Sequence, residues 1–129
     1  MSEYKLTLKG IHHVYGNKAD DETEAIKHID LNVRDGEFLA IVGASGCGKS
    51  TLLNIMCGMI EPSEGEVLID GDSISSGKHR IGYISQTDTL LPWRKIESNV
   101  ALGLEIEGIS KKERLEQARK MIALSGMEG

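Results

Sequence analysis

The stretch Gly43-Ala44-Ser45-Gly46-Cys47-Gly48-Lys49-Ser50 decides how the rest of the chain is read. It matches G-x-x-x-x-G-K-[ST], the pattern of a loop that wraps phosphate. Each residue type has a chemical reason to be there. Glycine lets the backbone close around an anion without a Cβ clash. Successive N–H groups in such a loop point inward as a nest for oxygen anions. A helix following the loop adds unpaired N–H groups and the positive end of its dipole. Lys49 supplies a point charge for the β- and γ-phosphates, and the Ser50 hydroxyl is a hard oxygen ligand suited to Mg²⁺. The competing reading is a glycine-rich turn with an incidental lysine. The pattern needs a buried strand before it and a helix after it, and the flanking sequence offers both.

Before the loop, Phe38–Val42 is a continuous apolar run, as expected of a strand buried on both faces. After it, Lys49–Met59 is apolar on nearly every side, which predicts a helix packed inside the domain and ended by Gly58 and Pro62. Further out, Tyr4–His12 and Ala25–Val33 alternate apolar with polar residues and read as half-buried strands. Gly16–Glu24, with Asp20, Asp21 and Glu22, reads as an exposed loop, and Asp35-Gly36 predicts a hairpin turn into Phe38–Val42. Gly65–Asp70 and Arg80–Ser85 read as short strands, and Lys95–Glu107 as a helix. Ser110–Leu124 reads as a second helix, with Leu115, Ala118 and Ile122 on one face and a Ser110/Glu113 capping pattern at its start. Lys111–Arg119 reads as its solvated face. The mixture is α/β.

Composition limits the partners. The chain has 129 residues, enough for one ordinary domain, and 40% are hydrophobic. A net charge of −5 is a poor balance for holding nucleic acid by bulk electrostatics, so none is expected as a partner. No apolar run approaches the roughly 20 residues of a membrane helix, and the N-terminus lacks a signal-peptide stretch, so the chain is expected in the cytoplasm. Cys47 and Cys57 are not spaced as metal ligands, nor are His12, His13, His28 and His79; the first two are expected at a strand end.

Three segments in order, GASGCGKSTLLNIMCGMIEPSEGEVLIDG, IGYISQ and LLPWRKIESNVALGLEIEG, resemble the ATP-binding subunits of ABC transporters. The resemblance runs over essentially the whole chain. LLPWRKIESNVALGL is particularly similar to importers of the nitrate, sulfonate and taurine group. The family loop ordinarily reads GPSGCGKST; Ala44 here replaces its proline, a change the backbone tolerates.

The resemblance implies an ABC-type P-loop fold, present in part, with an N-terminal antiparallel β subdomain. Residues 1–129 would be the N-terminal part of an ABC ATPase domain. It implies ATP and Mg²⁺ as cofactors, with Gly43, Ala44, Ser45, Gly46, Cys47, Gly48, Lys49, Ser50 and Thr51 around the phosphates. Tyr15 matches the aromatic that stacks on adenine; without the resemblance it reads as a core or hinge tyrosine. Gln86, just after the expected strand, matches a glutamine that reaches Mg²⁺ or water and senses the membrane subunits. The expected catalytic residues are Lys49 and Gln86, and the expected metal ligands are Ser50 and Gln86. Leu90–Pro92 and Trp93 would lie where a permease docks, the alternative for Trp93 being core packing. The implied partners are transmembrane permease subunits and a second ATPase subunit, at the cytoplasmic face of the membrane. The solute would be a small anion.

Two stretches imitate parts of the family's remaining catalytic machinery. Leu124-Ser125-Gly126 begins like the LSGGQ signature, but Met127 breaks it, and the stretch reads as a helix end. Val67-Leu68-Ile69-Asp70 resembles a Walker B strand, but Gly71 stands where a catalytic Glu is needed, and the resemblance implies a β-hairpin here. The 129 residues therefore hold no signature, Walker B or switch His, and the chain by itself is expected to bind ATP but hydrolyse it poorly. The rival readings are a P-loop kinase or other NTPase, and a non-catalytic nucleotide-binding module.

Overall fold

A computed structural model describes residues 3–16 and 22–127. It separates into two compact units, Met1–Tyr83 and Ile84–Gly129.

In the first unit, Leu6–Tyr15 forms strand β1 and Thr23–Val33 forms β2, followed by helix α1, Lys49–Met56. Strands β3 (Glu64–Ile69) and β4 (Asp72–Ser73) come next, then a single 3-10 turn at Ile74–Ser76. The strands make one antiparallel sheet in the order β2-β1-β3-β4. The antiparallel N-terminal sheet is therefore as expected, although β1 and β2 pair with each other across register shifts between Leu8 and Val14. Leu8, Ile11, Ile26 and Val67 from the sheet and Leu52 and Ile55 from α1 form the core. Removing such aliphatic side chains from water is the main favourable term holding helix to sheet. Val67–Asp70 is hairpin, as read: Asp70 adopts a left-handed φ of 52° at the turn, and its carboxylate accepts a 2.8 Å bond from Lys5.

Several expectations are corrected. Phe38–Val42 is not a buried strand: it has no regular secondary structure, and Phe38 and Val42 are 93% and 87% exposed. A strand requires a neighbour to satisfy its backbone groups, and none of the described residues pairs with this run. The Asp35-Gly36 turn forms, with Glu37 N–H bonded to the Arg34 carbonyl at 3.2 Å, but it opens no hairpin. Arg80–Ser85 is likewise not a strand, for the same lack of a partner. His12 and His13 lie inside β1 rather than at its end. α1 stops at Met56, and its Leu53 is 41% exposed, so only one side of it is core. Of the expected loop Gly16–Glu24, residues 17–21, including Asp20 and Asp21, lie outside the described residues; Thr23 and Glu24 already belong to β2.

In the second unit the single helix expected over Lys95–Glu107 is two, α2 (Ile96–Val100) and α3 (Leu102–Ile106), broken at Ala101. Helix α4 spans Lys111–Leu124, and the Ser110 hydroxyl caps it by accepting from the Glu113 N–H at 3.4 Å. Ala101 and Ala118 are buried, with Leu115 and Ile122 half-buried on the same face of α4. Glu97 of α2 is bridged to Arg119 of α4 at 3.1 Å, and Glu116 pairs with Lys120 on the outer face. α4 ends in two reverse bonds, Gly126 N–H to Ala123 and Met127 N–H to Ile122, with Gly126 at a φ of 73°. That is a helix-terminating motif, so Leu124-Ser125-Gly126 is a helix end, as read.

Candidate functional site

The loop Gly43–Gly48 runs into α1, whose first turn carries Lys49, Ser50 and Thr51. Lys49 folds back over the loop. Its Nζ donates to the carbonyls of Gly43 at 2.7 Å and Ala44 at 2.5 Å, with the Cys47 sulfur at 3.5 Å. These contacts hold an ammonium group directly over the loop. The loop also closes on itself through Cys47 N–H to the Ala44 carbonyl, 3.3 Å. Cys47 is a free, exposed thiol.

The glycines do different jobs. Gly48 sits at a φ of 95°, and a Cβ there would stand 2.5 Å from the Ala25 carbonyl oxygen of β2. Its place is fixed by backbone conformation and by close packing of the loop on the sheet. Gly46, at a φ of 78°, faces open space. A groove lined by Ala25, Ile26, Ile41, Cys47, Gly48 and Lys49 runs between β2 and the loop.

Tyr15, at the end of β1, reaches the same region. Its hydroxyl lies 3.1 Å from Thr51 Oγ1, and its ring meets His13 edge to face, with centroids 4.6 Å apart at 88°. Tyr15 is 42% exposed, so part of its ring is open to a ligand. The fold thus gathers Tyr15, the loop, Lys49, Ser50 and Thr51 in one unit. Ser50 is exposed in the first turn of α1, where its hydroxyl is available to a hard cation. Gln86 belongs to the second unit, where it is exposed in a bend and does not follow a strand. No group of three or more His, Cys, Asp or Glu is placed to hold a metal among the described residues.

In the second unit, Leu91–Arg94 forms a turn closed by Arg94 N–H to the Leu91 carbonyl, 3.0 Å, and Trp93 is 77% exposed on it. Core packing of Trp93 is thereby excluded within its unit. Asn99, which the sequence reading passed over, ties the turn together. Its side chain accepts from Leu91 N–H at 2.7 Å and donates to the carbonyls of Leu91, Arg94 and Lys95, each at 3.2 Å. The only signal for it in the sequence is an amide-bearing residue shortly after Pro92, the type that bonds to nearby backbone. Glu105 accepts from Arg94 at 2.7 Å and lies 3.4 Å from Arg114. The Arg94 hydrogen bond holds its carboxyl below the usual range.

Residues 26–129 match the model of the ABC transporter family. The chain belongs to that family. It is 45% identical over 128 residues to an uncharacterised ABC transporter ATP-binding protein of Methanocaldococcus jannaschii, covering 97% of this chain and 46% of that protein. It is 38% identical over 124 residues to the taurine import ATP-binding protein TauB of Escherichia coli K12, covering 96% of this chain and 47% of TauB. The chain thus spans about half the length of the curated relatives it matches. Among solved structures, a dimeric ATP-binding cassette bound to ADP and Pi superposes with a TM-score of 0.83 at 31% identity, over 95% of this chain and 58% of that one. The ABC-type P-loop fold, present in part, follows from this likeness. No helix among the described residues is long and apolar enough to cross a membrane.

Proposed function

We propose that this chain is the nucleotide-binding N-terminal part, residues 1–129, of an ATP-hydrolysing, energy-coupling subunit of an ABC transporter. The observation that carries the proposal is the convergence of the Lys49 ammonium, the Gly43–Gly48 loop and the Tyr15 ring at the start of α1. The loop and Lys49 would bind the phosphates of ATP, and the Tyr15 ring would stack on its adenine. Ser50 would ligate Mg²⁺, which when bound neutralises phosphate charge. Binding of phosphate would draw the ammonium from the Gly43 and Ala44 carbonyls to a stronger, charged partner. Gln86 would serve the metal or attacking water, as the family resemblance implies.

The whole protein would hydrolyse ATP at the cytoplasmic face of the membrane, paired with a second ATPase subunit and docked on permease subunits. The dimeric solved cassette supports the pairing. Exposed Trp93, on the turn held by Asn99, supports the docking site. Similarity of LLPWRKIESNVALGL to the anion importers, and the identity with TauB, support import of a small anion.

The 129 residues contain neither the signature nor the catalytic Glu. Loss of a general base alone lowers rate by about 10²–10⁴, so the chain by itself is expected to bind ATP with little turnover. A phosphate-release assay tests this, with Lys49→Ala as the control for contaminating ATPases. Turnover near background supports the reading. Turnover on the order of one per second, abolished by the substitution, overturns it.

A further inference from the structure

Among the described residues, His13 is the one polar residue with a buried side chain, 8% exposed, and neither of its ring nitrogens has a hydrogen-bond partner there. Burying unpaired polar groups is unfavourable, and an apolar side chain of similar size would avoid that. Something other than fold stability must recommend a ring at this position. In an alternating strand, Ile11, His13 and Tyr15 fall on one face. Along that face exposure rises from 0% at Ile11 through 8% at His13 to 42% at Tyr15. His13 therefore stands between the packed core and the half-open tyrosine. Its ring meets the Tyr15 ring perpendicularly at 4.6 Å, and the far end of Tyr15 is tethered to Thr51 at 3.1 Å.

We propose that His13 is a positioning residue for nucleotide binding: its buried ring packs perpendicular to the Tyr15 ring and braces it while Thr51 holds the hydroxyl. The two contacts fix a half-exposed aromatic that exposure alone would leave free to change rotamer. The tyrosine face is thereby preorganised for a base, and its orientation is linked through Thr51 to the phosphate loop. Preorganisation spares a ligand the loss of side-chain freedom that it would otherwise bear on binding. The proposal rests on the reading of Tyr15 as the adenine-stacking residue. What His13 contributes is a perpendicular aromatic ring, not a proton or a hydrogen bond, so another aromatic should replace it and an aliphatic should not.

The test is calorimetric titration of the chain with MgATP and, separately, with inorganic triphosphate, for wild type, Tyr15→Ala, His13→Leu and His13→Phe. His13→Leu fills the core without a ring, and His13→Phe retains one, so neither opens a cavity. An edge-to-face pair corresponds to about twofold to tenfold in affinity. His13→Leu is expected to weaken ATP by that factor and leave triphosphate unchanged, and His13→Phe is expected to restore the wild-type ratio. A purely structural role would shift both ligands together or lower only the melting temperature, and that result overturns the proposal. So does His13→Phe behaving like His13→Leu. If Tyr15→Ala changes the ATP-to-triphosphate ratio and His13→Leu does not, the bracing role fails while the stacking reading stands. If Tyr15→Ala leaves the ratio unchanged, the stacking reading fails and the proposal falls with it.

Discussion

Gly48→Ala should destabilise the fold far more than Gly46→Ala, although both are glycines of the same phosphate-binding pattern. Both sit at positive φ, 95° and 78°, where an L side chain is strained by about 1–2 kcal/mol. Only Gly48 has a second problem. Its added Cβ would lie 2.5 Å from the Ala25 carbonyl oxygen and 3.5 Å from the Ala25 carbonyl carbon. The obstacle is backbone near the start of β2, not the end of a flexible side chain, so the loop or the strand must shift. Overpacking of that kind costs about 1–3 kcal/mol. Gly48→Ala should therefore lose about 2–5 kcal/mol and Gly46→Ala about 1–2 kcal/mol, against a typical total of about 5–15 kcal/mol. Urea denaturation followed by circular dichroism measures both, provided the slopes are unchanged. Equal losses in the two variants, or a larger loss at Gly46, would refute the argument that Gly48 is fixed by packing on β2.

Three further outcomes are expected. Asn99→Ala should lower the stability of the second unit by on the order of 1–3 kcal/mol and speed amide exchange at Leu91, whose N–H loses its acceptor; unchanged Leu91 protection would count against its role in the turn. Glu105 has its carboxyl held below its ordinary 4.5 by Arg94, so the pair's stabilisation is present above about that pH and is lost as pH falls through the depressed value. The fall in urea midpoint on acidification should accordingly be smaller in Arg94→Ala than in wild type, and an identical fall would exclude the linkage. Tyr15→Phe removes the 3.1 Å contact with Thr51 but keeps the ring, and should weaken ATP less than Tyr15→Ala does; equal losses would show that the hydroxyl, not the ring face, matters.

What was legible in the sequence was what local chemistry determines. The helix that begins at Lys49, the Ser110 cap and the strand alternation of Ala25–Val33 all follow from neighbours a few residues apart. The loop pattern marked the start of α1, where Lys49, Ser50 and Thr51 lie in the first turn. Phe38–Val42 failed because a continuous apolar run says only that two faces want cover. It does not supply the partner strand, and none of the described residues does. Arg80–Ser85 failed for the same reason, which leaves the role of Gln86 resting on resemblance alone. His13 was missed because a polar pair at 12–13 looks like the end of a strand. Only the three-dimensional row of Ile11, His13 and Tyr15 shows that the strand continues beneath the helix.

Titration of the chain with MgATP, in wild type and Lys49→Ala, tests the central claim most directly. The Lys49 ammonium lies over the loop carbonyls, and a charged hydrogen bond contributes about 1.5–3 kcal/mol. Saturable binding at one site, weakened about tenfold to over a hundredfold by the substitution, is the predicted result. No binding by the folded wild type, or equal affinity in the two proteins, would contradict it.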